Sequence, residues 1–131
     1  MVVSEDRRGH IVVVTNPEET AMEKTSLTAL ARQQLATAMD SSSGRSARTV
    51  YGGHQRVLRQ TVIAMRAGES LAEHLNPGEA TVYVLQGRVL LSAGETSWSG
   101  WVGDLVIVPE APHALEALED SVILMTVAKV R

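Results

Sequence analysis

Two hydrophobic rhythms divide this chain. Over one short stretch, apolar residues recur at helical spacing: Leu27, Leu30, Ala31, Leu35 and Ala38 line one face, while Arg32 and Gln33 fall on the other. That is the pattern of an amphipathic helix. Thr25-Ser26 supply capping side chains and Asp40-Ser41-Ser42-Ser43-Gly44 ends the pattern, which predicts a helix of about fourteen residues. A lone helix of this kind is expected to pack on the outside of a sheet or on a partner subunit.

From Ala47 onward the rhythm changes to period two. Val57 to Met65 alternates, with Leu58, Gln60, Val62 and Ala64 on one face and Arg59, Thr61, Ile63 and Met65 on the other. Turn signals follow at Ala67-Gly68, Asn76-Pro77-Gly78, Gln86-Gly87, Ala93-Gly94, Ser99-Gly100, Gly103-Asp104 and Glu119-Asp120. Short strands so closely spaced predict an all-β sandwich or barrel rather than βα units. The last strand, Val122 to Val130, is apolar enough to be buried on both faces or to pair in a dimer. An earlier run, Ile11 to Thr15, ends at Asn16-Pro17 and reads either as an edge strand or as an unstructured extension. The expected organisation is an N-terminal extension (1–21), a helix and linker (22–46) and a β domain (47–131).

At 131 residues the chain is expected to be one domain with its own core. It has no cysteine, which excludes disulfides and thiolate metal sites and fits a cytoplasmic setting. It has no Phe either, so the core must rest on Val, Leu, Ile and Ala, with Trp98 and Trp101 expected to cover one end. The apolar runs are too short to cross a bilayer, and the charged first residues lack the apolar segment of a secretory signal. A net charge of −3 and a single helix argue against nucleic-acid binding. The charge is uneven, however. Gly44 to Arg66 holds five arginines (45, 48, 56, 59 and 66) and no acid, whereas Ala67 to Asp120 holds nine acids and only Arg88. This reads either as complementary surfaces or as a mouth that attracts a small anion.

The chemistry-bearing residues lie between Gly68 and His113. A first block runs Gly68, His74-Leu75-Asn76-Pro77-Gly78-Glu79-Ala80, then Tyr83-Val84-Leu85-Gln86-Gly87; a second runs Gly103-Asp104-Leu105-Val106-Ile107-Val108-Pro109, then Ala111-Pro112-His113. Together they resemble the two motifs of the cupin superfamily, in a small single-domain, RmlC-like form with a degenerate metal motif. The resemblance implies a cupin double-stranded β-helix, a jelly-roll barrel, here with one N-terminal amphipathic helix. In family members with an active centre, two His and a Glu of the first motif join one His of the second around a metal. Here His74 and His113 hold the first and last positions. Asn76 stands at the second His position and Ala80 at the Glu position, with Glu79 one residue early. A one-residue shift along a strand points a side chain to the other face, unless Glu79 still lies in the turn after Pro77-Gly78.

Two readings follow from the resemblance. In one, a divalent metal (Fe, Mn, Ni or Zn) is held by His74, Asn76, Glu79 and His113. Gln60, Val82, Val84 and Leu115 wall a substrate pocket, and the protein is a metal-assisted isomerase or dioxygenase. In the other, the altered ligand set leaves a non-catalytic, ligand-binding or sensory cupin without metal, and His74 and His113 line a small pocket. Small cupins of this kind are expected to form homodimers, with Ile11–Val14 and Val122–Val127 as candidates to cover sheet edges. His54, after Gly52-Gly53, reads as a surface turn histidine. His10 carries no assignment. Tyr83 reads as a wall position or a half-buried surface residue.

Overall fold

The computed structural model describes residues 2–5, 8, 11–14, 23–74 and 78–129. Eleven strands and one helix follow one another among these residues. Strands β1 (Val2–Glu5) and β2 (Ile11–Val14) pair antiparallel as a separate two-stranded ribbon. Helix α1 (Leu27–Asp40) comes next. The remaining strands are β3 (Arg45–Tyr51), β4 (Leu58–Met65), β5 (Ser70–His74), β6 (Gly78–Gln86), β7 (Arg88–Ala93), β8 (Thr96–Trp101), β9 (Leu105–Ile107), β10 (His113–Ala117) and β11 (Ser121–Lys129).

Nine of these strands build two facing antiparallel sheets. One has the order β3-β4-β11-β6-β9 and the other β5-β10-β7-β8. The chain crosses between the sheets repeatedly, as in a jelly roll, and alternation along each strand sends every second side chain between them. Met65, Val82, Val84, Val89, Leu91, Leu115, Ala117, Ile123 and Val127 fill that space. Aliphatic side chains and methionine suffice for this core, each fully buried Val, Leu or Ile contributing about 1.5–3 kcal/mol. Trp98 and Trp101 stay about half exposed on β8 instead of closing the core. Gly100, expected in a turn, lies inside β8. A Cβ there would sit 3.1 to 3.4 Å from methyl groups of Val84, Val106 and Val89, so a side chain would require these valines to give way by a few tenths of an ångström.

The helix has the expected fourteen residues, with Ser26 as N-cap: its side chain accepts the Ala29 N–H at 3.2 Å. It lies across the outer face of the five-stranded sheet. Leu30, Ala31 and Ala38 bury against Val62, Ala64 and Val122, flanked by Leu27, Leu35 and Leu124. The two phases of β4 therefore have definite addresses. Val62 and Ala64 meet the helix; Ile63 and Met65 face the other sheet.

Strand β11 is hydrogen-bonded to β4 on one side and β6 on the other, with Val122 toward the helix and Ile123 inside. It is buried on both faces and central, so it is not available to cover a sheet edge, contrary to one of the sequence expectations. The edges are β3 and β9 in one sheet and β5 and β8 in the other. Among the described residues no helix is long and apolar enough to cross a membrane.

Candidate functional site

His113 opens β10 and is buried, in phase with the core residues Leu115 and Ala117, so it belongs to the inner face of the barrel. Its Nδ1 lies 2.8 Å from the Ala111 carbonyl oxygen. A carbonyl only accepts, so Nδ1 carries the proton and donates, which leaves the neutral ring with Nε2 as its acceptor. The short Pro109–Pro112 approach thus fixes both the tautomer and the plane of this ring.

Directly across the ladder, the register partner of His113 is His74, the last residue of β5. This pairing depends on a bulge. On β10, His113 and Leu115 are two residues apart; their partners His74 and Leu71 are three apart. Ala72 and Glu73 together oppose Ala114, a β-bulge that inserts one extra residue into β5. Leu71 packs against the inner core. An unbroken ladder from Leu71 would pair position 73 with His113; the bulge pairs His74 with it instead. Sequence alternation alone had no means of showing this.

The carboxylate of the expected ligand set is displaced. Glu79 lies within β6, paired with Ala128, and is exposed. Its neighbour Ala80 is buried in the inner core and pairs with Val127. The parity of β6 is therefore already set at Glu79, and its carboxylate belongs to the outer face. This corrects its place among the metal ligands. Asn76 lies outside the described residues. Among the described residues no group of three or more His, Cys, Asp or Glu side chains is placed to hold a metal.

The four proposed wall positions separate. Val82, Val84 and Leu115 are on the inner face and belong to the packed core. Gln60 is on the opposite side of its sheet, in phase with Val62 and Ala64, where its Nε2 donates to Thr126 Oγ1 at 3.3 Å. It helps to line a 260 Å³ cleft beside the segment leading into α1, together with Glu23, Lys24, Leu27 and Tyr51. This corrects its assignment to the barrel interior. Its face was misjudged because alternation names two faces without saying which one is inside.

The arginines of the basic stretch are dispersed rather than gathered at one mouth. Arg45 donates to the Ser70 carbonyl at 2.8 Å, Arg66 lies 3.6 Å from the Glu69 carboxylate, and Arg56 sits over the Tyr51 ring. Arg48 lines a groove beside α1. Arg59 and Arg45, the register partner of Met65, follow the inner phase of Ile63 and Met65, at opposite ends of the sheet. The row of partners from Arg59 runs Arg59–Val127–Ala80, and the Val108 N–H donates to the Ala80 carbonyl. This row closes the five-stranded sheet at the end where β5 finishes in His74 and β6 begins at Gly78. Arg59 and the His74–His113 pair thus mark the same end of the barrel from opposite sheets. Next along the inner face, the Thr49 and Thr61 hydroxyls are 3.4 Å apart. The sequence held a signal for Arg59, since its alternation with Ile63 and Met65 was legible, but its importance needed the pairing. His54 is exposed in the turn between β3 and β4, as expected. Tyr83 is on the outer face of β6, and Trp101 is stacked by the Arg88 guanidinium 4.5 Å from its ring centre.

This architecture recurs among solved structures. A conserved protein of unknown function from Streptococcus pyogenes is 26% identical, with a TM-score of 0.62, over 70% of this chain and 79% of that one. A cupin superfamily protein from Desulfitobacterium hafniense shares 16% identity and a TM-score of 0.61, covering 66% and 78% of the two chains. TT1209 from Thermus thermophilus shares 22% identity and a TM-score of 0.66, covering 82% and 98%. No protein-family model and no curated protein sequence matches the chain. The chain has the cupin fold: an all-β jelly roll carrying one helix.

Proposed function

We propose that this protein is a ligand-binding cupin that holds a small organic acid at the His74–His113 end of its barrel, without metal chemistry. The observation that carries this reading is His113, buried on the inner face with its ring fixed by the Ala111 carbonyl and His74 as its register partner. In its neutral form Nε2 accepts a hydrogen bond from a ligand hydroxyl. Arg59, in the inner phase at the same end, supplies a fixed positive charge suited to a carboxylate. The outward Glu79 and the buried Ala80 withdraw from the interior the carboxylate that would compete with an acidic ligand. Fold alone does not decide the matter, since one fold hosts many activities.

The test is calorimetric titration of chelator-treated protein with lactate, malate and citrate. Saturable binding that His113→Ala and Arg59→Ala each abolish, with the circular dichroism spectrum unchanged, supports the reading. Absence of binding by all three acids, or binding indifferent to both substitutions, overturns it.

A second reading keeps a divalent ion (Fe, Mn, Ni or Zn) anchored by His74 and His113, with water and Asn76 completing its shell. The favouring observation is the cross-strand pairing of the two histidines. Stoichiometric metal in protein purified without chelator, lost in His113→Ala, would make this the better account and reopen the isomerase and dioxygenase classes.

A further inference from the structure

Helix α1 packs on the five-stranded sheet, so the outer face of the four-stranded sheet carries no helix. Strand alternation and register arrange the side chains of that face in rows. One row is Ser70–Glu116–Leu90–Ser99, a second is Ala114–Ser92–Ser97, and Arg88 and Trp101 are partners in a third. A cleft of 230 Å³ opens over the first two rows, lined by Ser70, Leu90, Ser92, Ala114 and Glu116. Beside it Trp101 is 52% exposed, diagonal to Leu90 across the β7–β8 pair. The Arg88 guanidinium lies 4.5 Å from the Trp101 ring centre and covers one side of the indole. Glu116 is the diagonal neighbour of Arg88 across the β7–β10 pair, a position from which long side chains can meet. Among the described residues the two make no ion pair, and Arg88 Nε is buried without an acceptor. Nor does any side-chain hydrogen bond among the described residues engage Glu116, Ser92, Ser97 or Ser99.

We propose that this outer face binds a neutral saccharide, with one sugar ring in the cleft on Leu90 and the next against the open side of the Trp101 indole. A sugar ring has an apolar C–H face and a rim of hydroxyls that both donate and accept. The site has the matching parts: two apolar surfaces, Leu90 and Trp101, set among unengaged polar groups. The Glu116 carboxylate only accepts and takes ligand hydroxyl protons in charge-assisted hydrogen bonds. The terminal N–H groups of Arg88 only donate and serve ligand oxygens, and the serine hydroxyls do either. A carboxylate in the cleft disfavours acidic and phosphorylated sugars, and the guanidinium beside it disfavours cationic ones. A protein partner is a poorer match, because a protein contact is built around an apolar centre larger than these two side chains provide. The face lies on the other side of the sheet from the buried His113, so this site does not rest on the organic-acid reading of the barrel interior.

The chain has two tryptophans, and Trp98 belongs to the opposite face of β8, so Trp98→Phe leaves Trp101 as the sole indole reporter. Titration of the full-length Trp98→Phe protein with maltotriose, cellotriose and xylotriose should give a saturable change in Trp101 emission with at least one of them. Calorimetry of the wild type with the same sugar should return the same affinity. Glu116→Gln, which keeps the shape of the side chain, should weaken binding about tenfold or more, and Trp101→Ala should do the same with an unchanged circular dichroism spectrum. Tyr83→Ser, on the outer face of the other sheet, should bind as the wild type does. No saturable response to any of the three sugars overturns the proposal. So does binding that Glu116→Gln and Trp101→Ala both leave intact, since the sugar would then sit elsewhere.

Discussion

Ser121 and Arg88 hold each other by both ends of one backbone unit. The Arg88 N–H donates to Ser121 Oγ at 3.0 Å, and the same hydroxyl lies 3.0 Å from the Arg88 carbonyl and 2.7 Å from that of Glu119. Ser121 is fully buried at the start of β11, so this small side chain ties the central strand of one sheet to the first residue of β7 in the other. Ser121→Ala leaves the Arg88 N–H without its acceptor in a dry site. The expected loss is about 1–3 kcal/mol of stability, read from urea unfolding.

The adjacent Gly87 has φ of +80°, and an added Cβ would come within 2.3 Å of the Asp120 carbonyl oxygen. Both the backbone conformation and the space forbid a side chain. Gly87→Ala is expected to destabilise by more than the about 1 kcal/mol that such a change costs or gains at a compatible site. A lowered thermal midpoint with no gain in activity or binding is the outcome to look for.

On the helix, Leu30→Ala removes a side chain buried against Val62 and Val122 and is expected to cost about 2–5 kcal/mol. Arg32→Ala, one turn face away and exposed, should stay within about 0.5 kcal/mol of the wild type. Equal effects would mean that α1 does not pack on this sheet in solution.

The ligand set has its own test. Glu79→Gln should leave Zn²⁺ uptake unchanged, because the carboxylate is on the outer face. Ala80→Glu introduces a carboxylate on the inner face and should bind Zn²⁺ more tightly than the wild type, at some expense of stability from filling a core position. Calorimetric titration of both variants reads the difference; the reverse order of affinities would show that β6 has the opposite phase.

What was legible in the sequence was local. The helix announced itself because five apolar residues keep its period and Ser26 caps it within one turn. The barrel announced itself because the cupin spacing from Gly68 to His74 and from Gly103 to Pro109 is set within single strand–turn units. What stayed hidden depends on partners distant in the chain. Gln60 and Arg59 alternate visibly, but only the seating of α1 against Val62 and Ala64 decides that Gln60 shares the helix-bearing face and that Arg59 follows the opposite phase at the exposed end of the strand. Gly100 resembled a turn residue because glycine is common in turns, whereas here it answers to three valines from other strands. The apolar C-terminal run fitted either an interface or a central strand, and pairing on both sides makes it central.

The extra residue in β5 has a further consequence. Which side chain stands opposite His113 is decided by strand register, not by residue type alone. If β5 straightened by one position while Leu71 kept its partner, Glu73 instead of His74 would become the register partner of His113, with no change in sequence. Shortening the strand by deleting Ala72 would have the opposite effect: it removes the bulge and locks the histidine pair in an unbroken ladder. A single surplus residue thus decides which residue of β5 is paired with His113.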